Sequence, residues 1–452
     1  MNNIVLNFII VLGVLIFFHE LGHFIVARLF GVGVERFSLG FGPRILGKTV
    51  GRTDYRISLI PLGGYVKMMG EEPDAPLAPE DLHLSFTHKP VIQRSLIVAA
   101  GPLFNVLLAI LIYVGGFWIA GIPTIRSVVR YVDPSGPAEA AGIQTGDLIK
   151  SINGTPVRSW RNINDIVDEN KAAPLNLQIE RGGKFLSITL KPAAITAKNV
   201  YDENMTYYSI GIRGEAEPKP VVGDTRPDMP ARMAGLRKGD VITAIDGTPI
   251  ELWQTMHDII SSSKGRQLIF TIQRDGQTLE IPIKPQEVQE KDILGNKQSA
   301  YRIGISPPDP VLAEDKITDQ VGFLGACKLG FDYCWFVVRE TGRFFVKLVQ
   351  GKVPSGAIGG PIRIAKMANQ QAQEGFMQFI FFIAFVSVNL AVINLVPIPV
   401  LDGGHLLFFI IEAIQRKPVS IRVREMAQQI GMVLLLMLMI FVIYNDVIFT
   451  WF

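Results

Sequence analysis

Four long stretches of this 452-residue chain are almost free of charged residues. They cover residues 4–30, 95–122, 376–411 and 430–443, whereas residues 122–375 have the composition of an ordinary globular protein. About 20 apolar residues in a helix span the hydrocarbon core of a bilayer. With a mean hydropathy of +0.30 and 19% charged residues, the chain is too apolar for a soluble single-core enzyme. We therefore predict a polytopic α-helical membrane protein with four transmembrane helices.

The distribution of basic residues predicts how these helices are oriented. Basic residues are frequent from Arg28 to Arg94, between the first two apolar stretches, and again from Arg416 to Arg424, before the last one. Cytoplasmic loops of membrane proteins carry an excess of lysine and arginine. Both loops are therefore predicted to be cytoplasmic. With four crossings, both termini and residues 122–375 lie outside, an N-out/C-out topology.

Residues 321–338 are a competing candidate for a membrane span. Lys328 and Asp332 are the charged residues in this stretch. A fifth crossing would move one of the basic loops to the outer side, against the charge rule. We therefore predict an amphipathic helix at the outer membrane surface.

The overall charge and the cysteine content exclude two further classes of protein. A net charge of +3, from 44 basic and 41 acidic residues, leaves no basic surplus for nucleic acid, so none is predicted as a partner. The 2 cysteines, Cys327 and Cys334, exclude a fold built on disulfides. On one helix they would lie about 10 Å apart, beyond disulfide reach.

The external region contains two copies of one sequence unit, offset by 93 residues without a gap, as in the pairs Asp147 with Asp240 and Trp160 with Trp253. Each copy predicts a short helix ending at Ala-Gly, a strand, an Asn-Gly or Asp-Gly turn and a helix that begins at the tryptophan. The spacing Ala-Gly-x-x-x-Gly-Asp-x-Ile, followed by Gly-Thr-Pro, resembles the PDZ domain. The resemblance implies two external α+β PDZ domains. Such domains usually bind an extended peptide C-terminus as an added strand; the alternative is that the pair only gates or spaces another site.

The chemical centre is predicted in the first transmembrane helix. Residues 19–23, His-Glu-Leu-Gly-His, match the zinc protease signature, in which two histidines one turn apart bind one metal and the glutamate, Glu20, activates its water. Ionisable groups inside a membrane span are costly unless they are functional. At about 1.5 Å per residue, His19 lies about 13 Å from Arg28, so the site is predicted inside the membrane near the cytoplasm. The alternative is that His19 and His23 only form hydrogen bonds between helices.

Two histidines leave a catalytic zinc site one protein ligand short. The third apolar stretch is too long for one straight span and is broken by Asn394, Pro397 and Pro399. Asp402 follows that break and is the candidate for the third ligand.

Residues 394–403, Asn-Leu-Val-Pro-Ile-Pro-Val-Leu-Asp-Gly, resemble the second signature of the site-2 protease family of intramembrane zinc metalloproteases. The His-Glu motif, the Gly-Pro-x-x-Asn sequence at 101–105 and the two PDZ-like copies extend the resemblance over nearly the whole chain. It implies one Zn²⁺ per chain, bound by His19, His23 and Asp402, with Glu20 as the general base. It also implies that the break at 394–397 contacts substrate.

Residues 35–42 alternate between apolar and polar with period two, and residues 55–68 form a second strand-like stretch. They predict a β-hairpin or small sheet that re-enters the membrane beside the zinc; the alternative is an ordinary cytosolic hairpin. An exposed strand edge at 63–66 would be a template for an extended substrate. Asn105 binds substrate or only joins helices. The predicted substrate-binding residues are Asn394, Pro397, Pro399, Asn105, Gly63, Gly64, Tyr65 and Val66.

The predicted function is zinc-dependent cleavage of transmembrane segments. The family resemblance implies single-span substrates already trimmed on their outer side, such as the anti-sigma factor RseA, and remnant signal peptides, in the envelope stress response at the bacterial inner membrane. The PDZ pair would act as a size filter or would read new C-termini. Two alternatives are a non-catalytic membrane scaffold and a zinc transporter.

The predicted domain organisation follows the apolar stretches and the repeat. The segments are a first transmembrane helix with the zinc motif (1–30), a cytoplasmic-side re-entrant β segment and loop (31–90), a second transmembrane helix (91–121), PDZ domains (122–215 and 216–309), external amphipathic helices and linker (310–375), a third, broken transmembrane segment (376–412) and a fourth transmembrane helix (426–450).

Overall fold

The computed structural model describes residues 3–71, 78–199, 201, 203–291, 297–353 and 357–451. The chain divides into two compact units. The first unit, which we call the membrane unit, comprises Met1–Gly121 and Gln320–Phe452, and the second, the external unit, comprises Ile122–Asp319. The predicted domain boundaries inside these units stay predictions.

The helices follow in chain order. The α-helices are α1 (Ile4–Leu29), α2 (Val91–Ala120), α3 (Pro137–Ala140), α4 (Trp160–Asn170), α5 (Pro230–Met233), α6 (Trp253–Ser262), α7 (Phe323–Val349), α8 (Pro361–Glu374), α9 (Phe376–Asn394), α10 (Asp402–Gln415) and α11 (Ile421–Trp451), and short 3₁₀ helices cover Pro79–Leu84 and Ala313–Asp315.

The strands form one long hairpin and a series of short elements. They are β1 (Val34–Val50), β2 (Thr53–Met68), β3 (Ile122–Ile125), β4 (Tyr131–Val132), β5 (Leu148–Ile152), β6 (Thr155–Pro156), β7 (Leu175–Arg181), β8 (Lys184–Leu190), β9 (Ala193–Lys198), β10 (Asn204–Ser209), β11 (Ile212–Arg213), β12 (Asp224–Thr225), β13 (Val241–Ile245), β14 (Thr248–Pro249), β15 (Leu268–Arg274), β16 (Gln277–Ile283), β17 (Gln286–Lys291), β18 (Lys297–Arg302), β19 (Ile305–Ser306) and β20 (Lys316–Asp319).

Four helices among the described residues are long and apolar enough to cross a membrane: α1, α2, α9 and the Ile421–Val447 part of α11. The four predicted apolar helices are thus present. The last of them, α11, begins at Ile421 and includes Arg422 and Arg424 in its first turn. No proline stands between Ile421 and the apolar stretch, so nothing in the chain stops the helix from including these arginines.

Helices α1 and α2 approach closely at two glycines. A Cβ atom at Gly22 would overlap the backbone carbonyl of Ala100, and a Cβ atom at Gly101 would overlap the imidazole of His23. Glycine at both positions therefore lets the two helix backbones come together at the level of the histidines. Apolar side chains fill the rest of this part of the membrane unit, among them Val11, Leu15, Ile97, Leu108 and Ala109.

The third apolar stretch is divided into two helices, as predicted. Helix α9 ends at Asn394, and α10 begins at Asp402. The connection contains Pro397 and Pro399, which cannot continue a helical hydrogen-bond ladder. At Gly403 a Cβ atom would overlap carbonyl oxygens of this connection, so the chain can turn tightly into α10.

Helix α7 is longer than the amphipathic helix predicted at 321–338. Its buried side chains, Cys334 and Val337, belong to one cluster with Tyr113 of α2 and Val388 of α9. Thr341 Oγ1 also donates a hydrogen bond of 2.9 Å to Asn389 Oδ1. The helix therefore packs along α2 and α9; its position at the outer membrane surface stays a prediction.

The predicted β-hairpin follows α1. The first part of β1 pairs on one side with the start of β2 and on the other side with its end, since Phe37 lies opposite both Tyr55 and Val66. Phe37 and Val66 pack in one cluster with Ala27 of α1 and Ile97 of α2. The hairpin is thereby held against α2 and against α1, the helix that carries both histidines, which supports its predicted position beside the predicted site.

The external unit contains the repeated fold that the 93-residue offset predicts. The sheets have strand orders β6-β5-β7-β8 and β14-β13-β15-β16. Equivalent residues pair in both, Ile149 with Ile179 and Ile242 with Ile272. Ile149, Ile179, Ile242 and Ile272 are fully buried in two separate apolar clusters. Each repeat therefore has its own core; the PDZ assignment and the number of PDZ domains stay predictions.

Both repeats use the same turn and the same ion pair. The Asn153-Gly154 turn has φ angles of 50° and 80°, and the equivalent Asp246-Gly247 turn has 48° and 77°. Two successive positive φ angles define the tight turn that these dipeptides favour. In each repeat an arginine at the end of one strand, β7 or β15, donates to the aspartate that directly precedes the neighbouring strand, β5 or β13. The Nε–Oδ1 distances are 2.6 Å for Arg181–Asp147 and 2.7 Å for Arg274–Asp240.

Candidate metal centre

Three predicted ligands lie together in the membrane unit. His19 and His23 are one turn apart on α1, and Asp402 is the first residue of α10. Asp402 Oδ2 is 3.2 Å from His19 Nε2, and Asp402 Oδ1 is 3.7 Å from His23 Nε2. One potential ligand atom from each residue lies within 4.8 Å of the other two. The structure thus brings together two residues and a third that is far away in sequence.

The imidazole of His23 is held by the backbone of α2. Its Nδ1 lies 2.8 Å from the carbonyl oxygen of Ile97, and its side chain is buried. A carbonyl oxygen accepts only, so Nδ1 carries the proton and donates. The lone pair of this neutral ring is therefore on Nε2, which points at Asp402 and His19.

The imidazole of His19 contacts a second residue of α2. Its Nδ1 lies 3.4 Å from Asn105 Nδ2. Asn105 is fully buried. In the structure Asn105 contacts His19, one of the predicted metal ligands. Contact of Asn105 with substrate stays a prediction.

Glu20 lies beside the three ligands and faces the edge of the hairpin. The backbone N–H of Val66 lies near its carboxylate. The Cγ of Glu20 also lies against Gly64, where a Cβ atom would be in close contact with it. The sequence motif predicted a carboxylate next to the ligands, and the fold supplies the strand that holds it.

One cavity of about 230 Å³ joins these groups. Its wall contains the residues of the motif, three of the predicted substrate-binding residues and further residues that the sequence did not indicate. The lining residues are His19, Glu20, His23, Gly64, Tyr65, Val66, Met68, Glu71, Phe86, Thr87, Arg94, Val98, Asp402, His405, Phe409 and Arg424.

Several polar residues of this wall were missed by sequence reasoning. Arg94 forms two hydrogen bonds with Glu412, of 2.7 Å and 3.2 Å, and its guanidinium lies 5.0 Å from the ring centre of Phe409. Arg94 and Glu412 stand at the ends of two different apolar stretches, and no motif connects them. The available signal was a charged residue in a terminal turn, the first turn of α2 for Arg94 and the last turn of α10 for Glu412.

The remaining predicted substrate-binding residues are not among the described residues that line the cavity. Asn394, Pro397 and Pro399 precede Asp402 in the connection between α9 and α10, and in the described part of the chain they are outside the wall of this cavity. Gly63 adjoins the ring of Phe41, which a Cβ atom there would overlap. Contacts of these residues with substrate stay predictions.

Comparison with known proteins agrees with this arrangement. The sequence model of peptidase family M50 matches residues 7–438. The chain belongs to peptidase family M50. A relative from Escherichia coli K12, named as the regulator of sigma-E protease RseP, is 37% identical over 455 aligned positions that cover 97% of each chain. A relative from Neisseria meningitidis that carries the name of a zinc metalloprotease is 36% identical and covers 98% of each chain.

Two of the solved structures that match this chain each cover about a fifth of it. The PDZ domain of the SdrC-like protein from Listeria innocua is 30% identical, covers 20% of this chain and 92% of its own, and has a TM-score of 0.17. The corresponding domain from Listeria monocytogenes is 27% identical, covers 19% of this chain and 84% of its own, and has a TM-score of 0.16.

Proposed function

We propose that this member of the M50 family is a zinc-dependent intramembrane endoprotease. The observation that carries the proposal is the convergence of His19, His23 and Asp402 within 4.8 Å, beside Glu20 and inside one cavity. Two imidazole nitrogens and one carboxylate are a donor set of catalytic zinc sites, which keep the fourth position open. The hydrogen bond from His23 Nδ1 to Ile97 leaves Nε2 free to bind, as such sites require. Bound there, one Zn²⁺ would supply Lewis-acid activation of a peptide carbonyl and of water.

Glu20 is the proposed general base. Its carboxylate adjoins the ligands and lies near the backbone N–H of Val66, and a carboxylate has enough acceptor positions to receive a water as well. A base in this position takes a proton from the attacking water and delivers it to the amine nitrogen that leaves.

The edge of β2 is the proposed binding site for the substrate backbone. Residues 64–68 pair with β1 along one edge, and the backbone of Val66 lies near Glu20. A peptide bond inside a transmembrane helix is enclosed by its own hydrogen bonds, so the substrate has to unwind before hydrolysis. An extended substrate paired with Gly64, Tyr65 and Val66 would regain backbone partners next to the base. We also propose that substrate contacts Asn394, Pro397 and Pro399, at the break between α9 and α10.

The names of the relatives support a biological setting. A regulator of sigma-E protease among them suggests control of an envelope stress response. We propose that this chain lies in a bacterial inner membrane and cleaves single-span proteins of the RseA type after their outer parts have been trimmed, together with remnant signal peptides. Residues 122–309 would form two periplasmic PDZ domains, and the site would lie near the cytoplasmic side.

Metal content and peptide cleavage of the purified protein together test the proposal. Wild type should hold about one zinc per chain and cut a transmembrane peptide, and His23→Ala or Asp402→Ala should lose both properties. Glu20→Gln should keep the zinc and lose cleavage, because an amide is not a base.

Other outcomes would identify another function. Zinc binding without cleavage by the wild type would favour a scaffold or a transporter. Equal loss of zinc in Glu20→Gln and His23→Ala would contradict the assignment of Glu20 as the base.

A further inference from the structure

Asn105 combines complete burial with an unpartnered polar atom. Its side chain lies on α2, one turn beyond Gly101, and faces the histidines of α1. Its Oδ1 has no hydrogen-bond partner among the described residues. A buried carbonyl oxygen without a partner costs free energy, so this atom calls for a physical explanation.

The contact between Asn105 and His19 determines which imidazole nitrogen carries the proton. A neutral imidazole has one N–H and one lone pair. The Nδ2 amino group of Asn105 faces His19 Nδ1 at 3.4 Å, and His19 Nε2 lies 3.2 Å from Asp402 Oδ2. In this orientation of the carboxamide Nδ1 would have to accept, which would leave the N–H of His19 on Nε2. Such a ring cannot bind a cation through Nε2.

A metal ion at Nε2 requires the other tautomer. The lone pair must then be on Nε2, so the proton moves to Nδ1, and Nδ1 needs an acceptor instead of a donor. Rotation of the Asn105 carboxamide by half a turn about its Cβ–Cγ bond brings Oδ1 to this position. After this rotation the amide N–H groups occupy the place where Oδ1 had no partner. The rotated arrangement is the more stable one when a cation is bound, because the imidazole N–H then donates a stronger hydrogen bond to Oδ1.

We propose that Asn105 is a positioning residue that holds His19 in its metal-binding tautomer by accepting a hydrogen bond from Nδ1–H through Oδ1. The inference rests on the proposed zinc site. His23 donates its Nδ1–H to the backbone carbonyl of Ile97. In the proposed arrangement His19 donates its Nδ1–H in the same way, to the side-chain carbonyl of Asn105.

Helix packing is the competing explanation for Asn105. The backbone carbonyl of Asn105 accepts a hydrogen bond of 2.8 Å from Ser387 Oγ, so this residue also joins α2 to α9. Ser387→Ala removes that connection and leaves the carboxamide unchanged. It is therefore the matched control for damage to the helix interface.

The experiment measures zinc retention of the full-length protein in competition with a chelator, independently of peptide cleavage. Asn105→Ala should increase the rate of zinc loss about tenfold, the lower end of the effect of removing an outer hydrogen-bond partner of a ligand. Asn105→Asp should retain zinc like the wild type, because a carboxylate of the same shape accepts from Nδ1–H. Ser387→Ala should also behave like the wild type. Binding of Co²⁺, followed by its visible absorption, gives a second reading of ligand geometry.

The results separate this inference from the proposed function. A wild-type protein that binds no zinc would overturn both. Zinc binding by the wild type with no change in Asn105→Ala, or with equal losses in Asn105→Ala and Ser387→Ala, would overturn only the role of Asn105. Loss of zinc in Asn105→Asp as large as in Asn105→Ala would show that the carboxamide does not act as an acceptor, and would also overturn it.

Discussion

At the scale of single residues, the absence of a side chain matters as much as the ligands themselves. Gly22 and Gly101 lie where α1 and α2 cross, and neither position has room for a methyl group. His23 reaches the carbonyl of Ile97 only because the helices are this close. The geometry of the centre therefore depends on residues that carry no reactive group.

We predict that Gly101→Ala reduces peptide cleavage more than tenfold and lowers zinc content. The added methyl group would overlap the His23 ring, and forced overpacking in a buried site costs about 1–3 kcal/mol. Gly22→Ala should have a similar effect, because it pushes α1 away from the carbonyl of Ala100. Cleavage assays and metal analysis of purified variants measure both effects.

Two glycines of the same helices provide controls. A Cβ atom at Gly13 of α1 or at Gly115 of α2 meets no atom within 4 Å. Alanine at these positions should leave cleavage and zinc content unchanged. Equal effects at all four sites would mean that glycine acts through helix flexibility and not through close packing.

At the scale of elements, the hairpin and the broken helix contribute to one cavity. Its lining includes Gly64, Tyr65 and Val66 at the end of β2 and Asp402 at the start of α10. A substrate bound along β2 would therefore lie near the predicted ligands. The arrangement suits an extended backbone better than an intact helix, which has no free donors or acceptors to pair with a strand edge.

The rate of cleavage should therefore depend on how easily the substrate helix unwinds. Glycine and proline weaken a helix by about 1 and 3 kcal/mol relative to alanine. Replacing such residues near the cut by leucine should slow cleavage. The measurement is the initial rate for matched transmembrane peptides in detergent micelles. A short peptide without helical structure is the control, and for it the same replacement should have little effect.

The second repeat of the external unit contains an ion pair, Asp240 with Arg274, whose contribution to stability we predict to depend on pH. Burial opposes ionisation of Asp240, but hydrogen bonds from Arg274 and from the backbone N–H of Arg237 outweigh it and hold the pKa of this carboxyl below its usual 3.8. A carboxyl with a lowered pKa contributes stability that is fully present above its unfolded-state pKa and is lost as the pH falls through its folded-state pKa. The stabilisation by the ion pair of Asp240 with Arg274 should thus be fully present at neutral pH.

We predict that Asp240→Asn destabilises the second repeat by about 2 kcal/mol at neutral pH, the size of a hydrogen bond to a charged group. Hydrogen exchange of β13 and β15 in the intact protein measures the loss. The difference from the wild type should shrink as the pH falls below 3.8 and through the lowered pKa of the folded-state carboxyl. Asp147→Asn, at the equivalent position, is the control and should affect the first repeat alone. Spread of either effect to both repeats would contradict independent cores.

At the scale of the whole molecule, the external unit begins and ends in one antiparallel ladder. Ile122 of β3 pairs with Asp319 of β20, and Ile125 pairs with Lys316. A deletion of residues 126–308 removes both repeats and keeps this ladder. The deletion therefore tests what the repeats do without separating the two ends of the external unit.

We predict that the deletion variant cleaves untrimmed, bulky substrates that the full chain rejects. A transmembrane substrate is already concentrated in the membrane, so an additional tether would raise its effective concentration little. Excluding bulky substrates is therefore the more useful role for the repeats. Rates for intact and trimmed forms of one substrate, measured on both proteins, give the answer. If recruitment is the main role, the variant will cut even the trimmed form poorly, and the proposed size filter is wrong.

The sequence by itself determined the elements whose signals are local. The four apolar helices follow from stretches long enough to span a bilayer, and the two repeats follow from matches at one fixed offset. His19 and His23 required only the helical period, and Asp402 required a break followed by a carboxylate. These features depend on spacing along the chain, which the sequence contains in full.

Only the tertiary structure decided which distant residues meet. The contact of Asn105 with His19, the pair of Arg94 with Glu412 and the position of Val66 against Glu20 depend on the angle and depth at which packed elements approach one another. Those quantities follow from side-chain volumes summed over whole interfaces, including the absent side chains of glycines, and no short motif records them. The chemical groups of the centre are therefore readable from the chain, but their orientation results from packing.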